Sequence, residues 1–236
     1  MSVRPARLNA VIAWLFIIGS ACFAVGSVPA FLNAVGGLVD GIAYFVGSIF
    51  FTTASFAQLV QAQSPAMTGV DRAQQDTRAP VRFWNWQPHD RNWLAAVTQF
   101  PGTLFFNVST LAALAHNATV GESDRHVWRP DFFGSTLFLV SSAFGLLAVS
   151  NHGISVQRRS VPWRIAWLNM VGSILFMASA LASYIIPSTD EVVSARVSVA
   201  GTLLGAVCFL IGAILMFPAW RHALVGARHS VGPEDP

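Results

Sequence analysis

The composition of this 236-residue chain excludes an ordinary soluble domain. Only 11% of its residues are charged, against about a quarter in soluble proteins, and 54% are hydrophobic, which gives a mean hydropathy of +0.55. All strong cations are arginines, because the chain contains no lysine, and they are dispersed over short segments despite a net charge of +3. We therefore predict an integral membrane protein with no nucleic-acid partner.

Six uncharged apolar segments follow one another along the chain, and each is long enough to cross about 30 Å of hydrocarbon as a helix. These segments comprise residues 10–32, 41–60, 93–115, 132–150, 165–186 and 197–219. Their length argues against buried core helices, and the first segment is longer than the apolar part of a secretory signal peptide. The predicted fold class is all-α, a polytopic membrane protein with six transmembrane helices.

The distribution of arginine predicts the orientation in the membrane. Six crossings place Arg125, Arg129 and Arg196 on one side and the other eleven arginines on the opposite side. Because arginine accumulates in cytoplasmic connections, we predict that both termini, residues 62–91 and the connection around 152–163 are cytoplasmic. The lipid bilayer is the predicted partner, with other membrane proteins or further copies of the chain as candidates.

Two cytoplasmic segments differ in character. The connection at 62–91 carries Phe83-Trp84-Asn85-Trp86 close to several arginines. Indoles and arginines are typical of the lipid headgroup layer, so we predict an interfacial loop, with partner docking as the alternative. Residues 221–236 are predicted to form a polar tail.

A repeated pattern, G-[STA]-x-x-F, occurs once in each predicted helix and nowhere else. Its glycines are Gly19, Gly47, Gly102, Gly134, Gly172 and Gly205. Residues four apart share one face of a helix, so glycine opens a groove one turn from a phenylalanine that can fill a neighbour's groove. We predict a helix-packing role for these glycines in preference to a ligand role. Gly201 with Gly205 adds a small-xxx-small step that permits closer approach.

The repeat extends over pairs of helices. Ala13-Trp14-Leu15, which precedes Ser20, aligns with Ala166-Trp167-Leu168, which precedes Ser173. The unit is a helical hairpin taken three times in tandem, at 8–61, 92–151 and 163–220, within a single membrane domain covering 1–236. Because each copy starts and ends on the same side, we predict a compact six-helix bundle with approximate threefold character about the membrane normal.

The hairpins resemble a known family. Val46-Gly47-Ser48-Ile49-Phe50-Phe51 and Val171-Gly172-Ser173-Ile174-Leu175-Phe176 are similar to helices of the YrhK-like membrane domain, and the last copy departs from the pattern with Ala206 in place of the hydroxyl. The resemblance covers all three hairpins. It implies a bacterial plasma-membrane protein and supplies no catalytic residues.

Uncharged polar side chains are the candidate functional residues, because the apolar segments contain no charged residue and no histidine. We therefore predict no enzymatic activity, no cofactor and no metal site. Gln99 and Asn107 flank Pro101-Gly102 on the third predicted helix, and Asn169 lies on the fifth. Pro101 and Gly102 are predicted to kink or open the third helix. The three amides are predicted to line a ligand site or pore, with interhelical hydrogen bonding as the favoured alternative.

Three functions are consistent with these features. The favoured one is a non-enzymatic structural or accessory membrane component. The second is a channel or carrier for a small neutral or weakly polar solute, and the third and least favoured is an intramembrane enzyme, which would need titratable groups. A continuous polar cavity that reaches Asn107 would favour transport, whereas a filled interior with Asn107 bonded to a neighbouring helix would favour the first function.

Overall fold

The computed structural model describes residues 2–64, 79–114, 120–150 and 160–230, and within them the protein is all-α apart from two pairs of two-residue strands. Its long helices are α1 (Pro5–Gly26), α2 (Pro29–Ala62), α3 (Arg91–Ala113), α4 (Arg129–Val149), α5 (Val161–Ala182) and α6 (Ala195–Ser230). A single helical turn, Val120–Ser123, and a π-helical turn, Asp124–Trp128, lead directly into α4. The predicted segments lie partly outside the described residues, at 65–78, 115–119, 151–159 and 231–236.

The predicted all-α fold class is confirmed, and five of the long helices described are long and apolar enough to cross a membrane. These five are α1, α2, the continuous helical stretch Val120–Val149, α5 and the Ala195–Phe217 part of α6. The exception is α3, because Gln99, Asn107 and several hydroxyl side chains lower its hydropathy. α3 continues as one helix through Pro101.

The first connection lies earlier than the sequence predicts. The first helix was expected at 10–32, but α1 ends at Gly26 and α2 begins at Pro29. Proline is well suited to the first turn of a helix, where its missing N–H has no partner to lose, so the chain reverses inside an apolar run. The expected connection at 33–40 is part of α2, which bends at Gly36, whose φ of 78° and ψ of 163° are accessible to glycine without strain.

The six long helices form a closed helix ring in which consecutive helices run in opposite directions. Each helix packs against the helix before it and the helix after it, and α6 closes the ring against α1. At this closure the aromatic ring centroids of Trp14 and Phe217 lie 5.9 Å apart. The hairpins α1–α2, α3–α4 and α5–α6 therefore surround a common axis.

The segment that precedes α3 is held against the end of α2. The backbone N–H of Arg82 donates to Ser64 Oγ at 3.0 Å, and the side-chain amide of Asn85 donates to the carbonyl of Gln63 at 3.3 Å. At the same end of the bundle β1 (Ser2–Val3) pairs antiparallel with β2 (Ala79–Pro80). Trp84 is left 77% exposed, as an interfacial loop requires, although its contact with lipid headgroups stays a prediction.

At the opposite end of the bundle a short hairpin joins α5 to α6. β3 (Ile185–Ile186) pairs antiparallel with β4 (Glu191–Val192), and Asp190 closes the turn with a positive φ of 56°, a conformation that aspartate tolerates. The indole N–H of Trp128 donates to the carbonyl of Ala180 at 2.8 Å and so ties the start of α4 to α5. α6 extends to Ser230, so residues 221–230 of the expected polar tail are helical.

Candidate functional site

Each hairpin is closed by a reciprocal contact between two copies of G-[STA]-x-x-F. A Cβ placed on Gly19 would lie 2.8 Å from Phe51 Cδ2 and 3.0 Å from the carbonyl oxygen of Gly47. A Cβ on Gly47 would in turn lie 3.0 Å from Phe23 Cδ2 and 3.1 Å from the carbonyl oxygen of Gly19. The side chains of a helix point back toward the N-terminus of that helix, so each phenylalanine reaches the level of the glycine in its own motif. There it packs against the motif glycine of the other helix in the hairpin. The same contacts join Gly102 to Gly134 and Gly172 to Gly205.

The six motif phenylalanines meet on the axis of the helix ring in two layers. The even-helix layer consists of Phe51, Phe138 and Phe209. The odd-helix layer consists of Phe23, Phe106 and Phe176. Aromatic ring centroids in the even-helix layer are 5.8, 6.1 and 6.3 Å apart, and two pairs in the odd-helix layer lie at 6.0 Å. Every one of these side chains is buried, so the two layers close the axis.

The small residue beside a motif glycine faces the neighbouring hairpin. Ser173 Oγ of α5 lies 2.8 Å from Ser142 Oγ of α4, and Ser48 Oγ of α2 lies 3.0 Å from Thr110 Oγ1 of α3. Both partners occupy the position eight residues after the motif glycine of their own helix. Hydrogen bonds between hydroxyls therefore join neighbouring hairpins at these two junctions, α2–α3 and α4–α5. Glycine and phenylalanine form the central contact within each hairpin.

The same spacing explains two buried hydroxyls that have no hydrogen-bond partner among the described residues, those of Ser20 and Ser135. On the neighbouring helix, the position eight residues after the motif glycine is Ala213 of α6 for Ser20 and Ala180 of α5 for Ser135. Neither alanine offers a hydroxyl. The unpaired hydroxyls thus follow from imperfect repetition of the sequence.

Two of the three predicted site amides make interhelical hydrogen bonds. Gln99 Nε2 donates to Ser55 Oγ of α2 at 3.2 Å. Gln99 Oε1 accepts at 3.3 Å from Ser141 Oγ of α4, which shares its proton with the carbonyl of Ala95 at 2.8 Å. Asn107 Oδ1 accepts from Thr52 Oγ1 of α2 at 3.1 Å. Gln99 therefore links α3 to both of its neighbours, and the Asn107 amide is engaged at the contact between α2 and α3.

A cavity of about 330 Å³ occupies the half of the helix ring nearest the ends of α2 and α4. Its inner end is formed by the even-helix layer together with Phe16, and the exposed residues Asn92 and Pro162 lie at its mouth. Gln99 and Asn169 both line this cavity. The structure does not bring Asn107 together with them, because the cavity ends at the even-helix layer and its described lining does not include Asn107.

The cavity wall offers uncharged hydrogen-bonding groups. The amides of Gln58, Gln61, Asn92 and Asn169 contribute to the lining and have no hydrogen-bond partner within the described residues. Gln58 Oε1 is buried as well as unpartnered there. The lining that the structure describes contains no Asp, Glu, Lys or Arg. The cavity therefore combines neutral donors and acceptors with an apolar inner end.

Gln58, Gln61 and Asn92 were not identified as site residues from the sequence. They lie at or just beyond the ends of the predicted apolar segments, where polar side chains are common. The sequence feature that could have identified two of them is the spacing of Gln58 and Gln61, because residues three apart share a helix face. Phe51, which also lines the cavity, lies on the same face of α2 as Gln58 and Gln61.

Comparison of the chain with protein-family models, with curated proteins and with solved structures finds no significant match. The resemblance to the YrhK-like membrane domain stays a prediction made from the sequence motifs.

Proposed function

We propose that the protein is a non-enzymatic, structural or accessory component of a bacterial plasma membrane, crossing it six times as three tandem hairpins with both termini in the cytoplasm. The observation that carries this proposal is the filled axis of the helix ring. Two layers of buried phenylalanines separate the cavity from the other end of the bundle. No Asp, Glu, Lys or Arg is present in the part of the cavity lining that the structure describes, which supports a role without catalysis, since membrane chemistry normally uses titratable or metal-binding side chains.

The surface of α3 supports a sixth crossing. Every exposed side chain between Trp93 and Ala113 is apolar, including Leu104, Val108 and Leu111. Among the polar side chains that lower the hydropathy of α3, Gln99 and Asn107 hydrogen-bond to neighbouring helices. The hydroxyls of Thr98 and Thr103 donate to carbonyls of α3 itself. A helix whose polar groups are satisfied by protein and whose outer face is apolar is compatible with lipid on that face.

A carrier for a small neutral solute is the second candidate function, and the one-sided cavity favours it. A solute that entered at the mouth would reach the even-helix layer and would need that layer to open before it could leave on the far side. The reciprocal glycine contacts hold both helices of each hairpin at close range, which opposes such an opening. We therefore place the structural role first.

Solute flux separates the two functions. Proteoliposomes exposed to a hyperosmotic step of glycerol or urea are expected to reswell at the rate of protein-free liposomes, because the phenylalanine layers leave no path along the axis. Light scattering after rapid mixing measures the rate. Faster reswelling that disappears when Gly145→Phe fills the cavity would establish a carrier and refute the structural role. Gly145 suits this purpose because it lines the cavity and a Cβ there would meet no atom of the described part of the chain within 4 Å.

A further inference from the structure

The cavity has two chemically different ends. Aromatic side chains, Phe16 among them, form the inner end, and carboxamides are distributed along the wall and at the mouth. A volume of about 330 Å³ is within the range of small-molecule sites, whose lining is typically apolar with a few placed polar groups. A molecule that matches this cavity presents an apolar portion inward and polar groups toward the wall.

The wall has hydrogen-bonding capacity that the protein itself does not use. The nitrogen and the oxygen of the Gln99 side-chain amide already hydrogen-bond to Ser55 and Ser141, so we assign this amide to helix packing and not to ligand binding. Asn169 and Gln58, by contrast, make no hydrogen bond within the described residues, and the Oε1 atom of Gln58 is buried. A buried acceptor without a partner costs free energy, which a bound donor would recover. Each amide both donates and accepts, so the matching group does the same.

The lining also disfavours ions. A charged molecule that entered would lose hydration without meeting an opposite charge, because the described lining carries none. A neutral molecule escapes most of this penalty.

We propose that the cavity is a binding site for a small neutral molecule with an apolar ring or chain, seated on the even-helix layer, and a head group that both donates and accepts hydrogen bonds with Asn169 and Gln58. Primary carboxamides and hydroxyl compounds belong to this class. The proposal goes beyond the structural role, since binding in a cavity that opens at one end only requires no movement of the ligand across the membrane.

A series of isosteric probes tests the proposal in the full chain reconstituted in lipid nanodiscs. Fluorine NMR records the line width of para-fluorobenzamide, of the anionic para-fluorobenzoate, of the cationic para-fluorobenzamidinium and of the apolar para-fluorotoluene, each against empty nanodiscs. We expect saturable broadening of para-fluorobenzamide, no broadening of the two ions beyond that in empty discs, and weaker binding of para-fluorotoluene. Equal binding of an ion and the amide, or no broadening of the amide beyond that in empty discs, would overturn the proposal.

Variants locate the binding. Gly145→Phe is expected to abolish the broadening. Gly121→Phe is the matched control, because Gly121 lies in the helical turn that precedes α4, at the opposite end of the bundle, and its Cβ would likewise meet no atom of the described residues within 4 Å. Asn169→Leu is expected to weaken binding roughly fivefold by removing one hydrogen-bonding group. Broadening that persists in Gly145→Phe would place the probe elsewhere and refute the site. Binding without glycerol flux supports the site and the structural role together, whereas binding with flux supports the site and refutes that role.

Discussion

Gly201→Leu is expected to lower the free energy of unfolding by about 3 kcal/mol, at the upper end of the usual range for overpacking. A Cβ at Gly201 of α6 would lie 2.7 Å from the carbonyl oxygen of Leu175 and 3.1 Å from the backbone nitrogen of Ser179, both on α5. Backbone atoms of a regular helix cannot turn aside as a flexible side chain can. The two helices would therefore have to separate along their contact, and the Ser179 hydroxyl bond to Thr202 at 2.7 Å would be strained with them.

The measurement is the midpoint of unfolding as dodecyl sulfate is titrated into the protein in mild detergent. Gly145→Leu is the matched control, because the same side chain is added to a helical glycine whose Cβ would have no described atom within 4 Å. We expect the control to change stability by less than about 0.5 kcal/mol. Equal midpoints for Gly201→Leu and the native protein would show that α5 and α6 do not approach as closely as described.

Phe51→Ala is expected to cost about 3 kcal/mol, the lower end of the range for removal of a buried phenylalanine side chain. Phe51 is 3% exposed, and its aromatic ring lies 5.6 Å from that of Phe16 and 5.6 Å from that of Phe23, in addition to its two contacts in the even-helix layer. The helix remains in the apolar interior of a detergent micelle after unfolding, so the loss is mainly one of packing rather than transfer from water.

Phe56→Ala provides the comparison for Phe51→Ala on the same helix. Phe56 is 46% exposed and has a single aromatic contact described, with Phe100 at 5.6 Å. We expect its loss to cost less than about 1 kcal/mol in the same titration. If Phe56→Ala proved as costly as Phe51→Ala, the central position of the even-helix layer would be contradicted.

The contacts within each hairpin were the most predictable part of the fold. A glycine followed four residues later by phenylalanine defines a helix face, and that face carries the contact between Gly19 and Gly47. The turn after Gly26 was less predictable, because no charged residue interrupts the apolar run at Ser27 and Val28. There the conformation of Pro29 decides where the next helix begins.

The cavity was less predictable than the helices. An empty space depends on the combined volumes of side chains from several helices, and small residues such as Gly145, Gly212 and Ala213 leave room that no single segment reveals. The site amides illustrate this limit. Gln99 and Asn107 are both polar residues of α3, yet only Gln99 lines the cavity, because position around the helix and not polarity decides which side chain faces the axis.

The six-crossing arrangement depends most on α3 crossing the membrane within the helix ring, and cysteine labelling tests this directly. Single cysteines at His89, Gly121 and Thr189 would be introduced after the free cysteines Cys22 and Cys208 are replaced by alanine. In intact cells a membrane-impermeant maleimide is expected to label Gly121→Cys and Thr189→Cys, and to label His89→Cys only after the membrane is opened. Labelling of His89→Cys and Gly121→Cys from the same side would show that α3 does not cross, and would contradict the six-crossing arrangement.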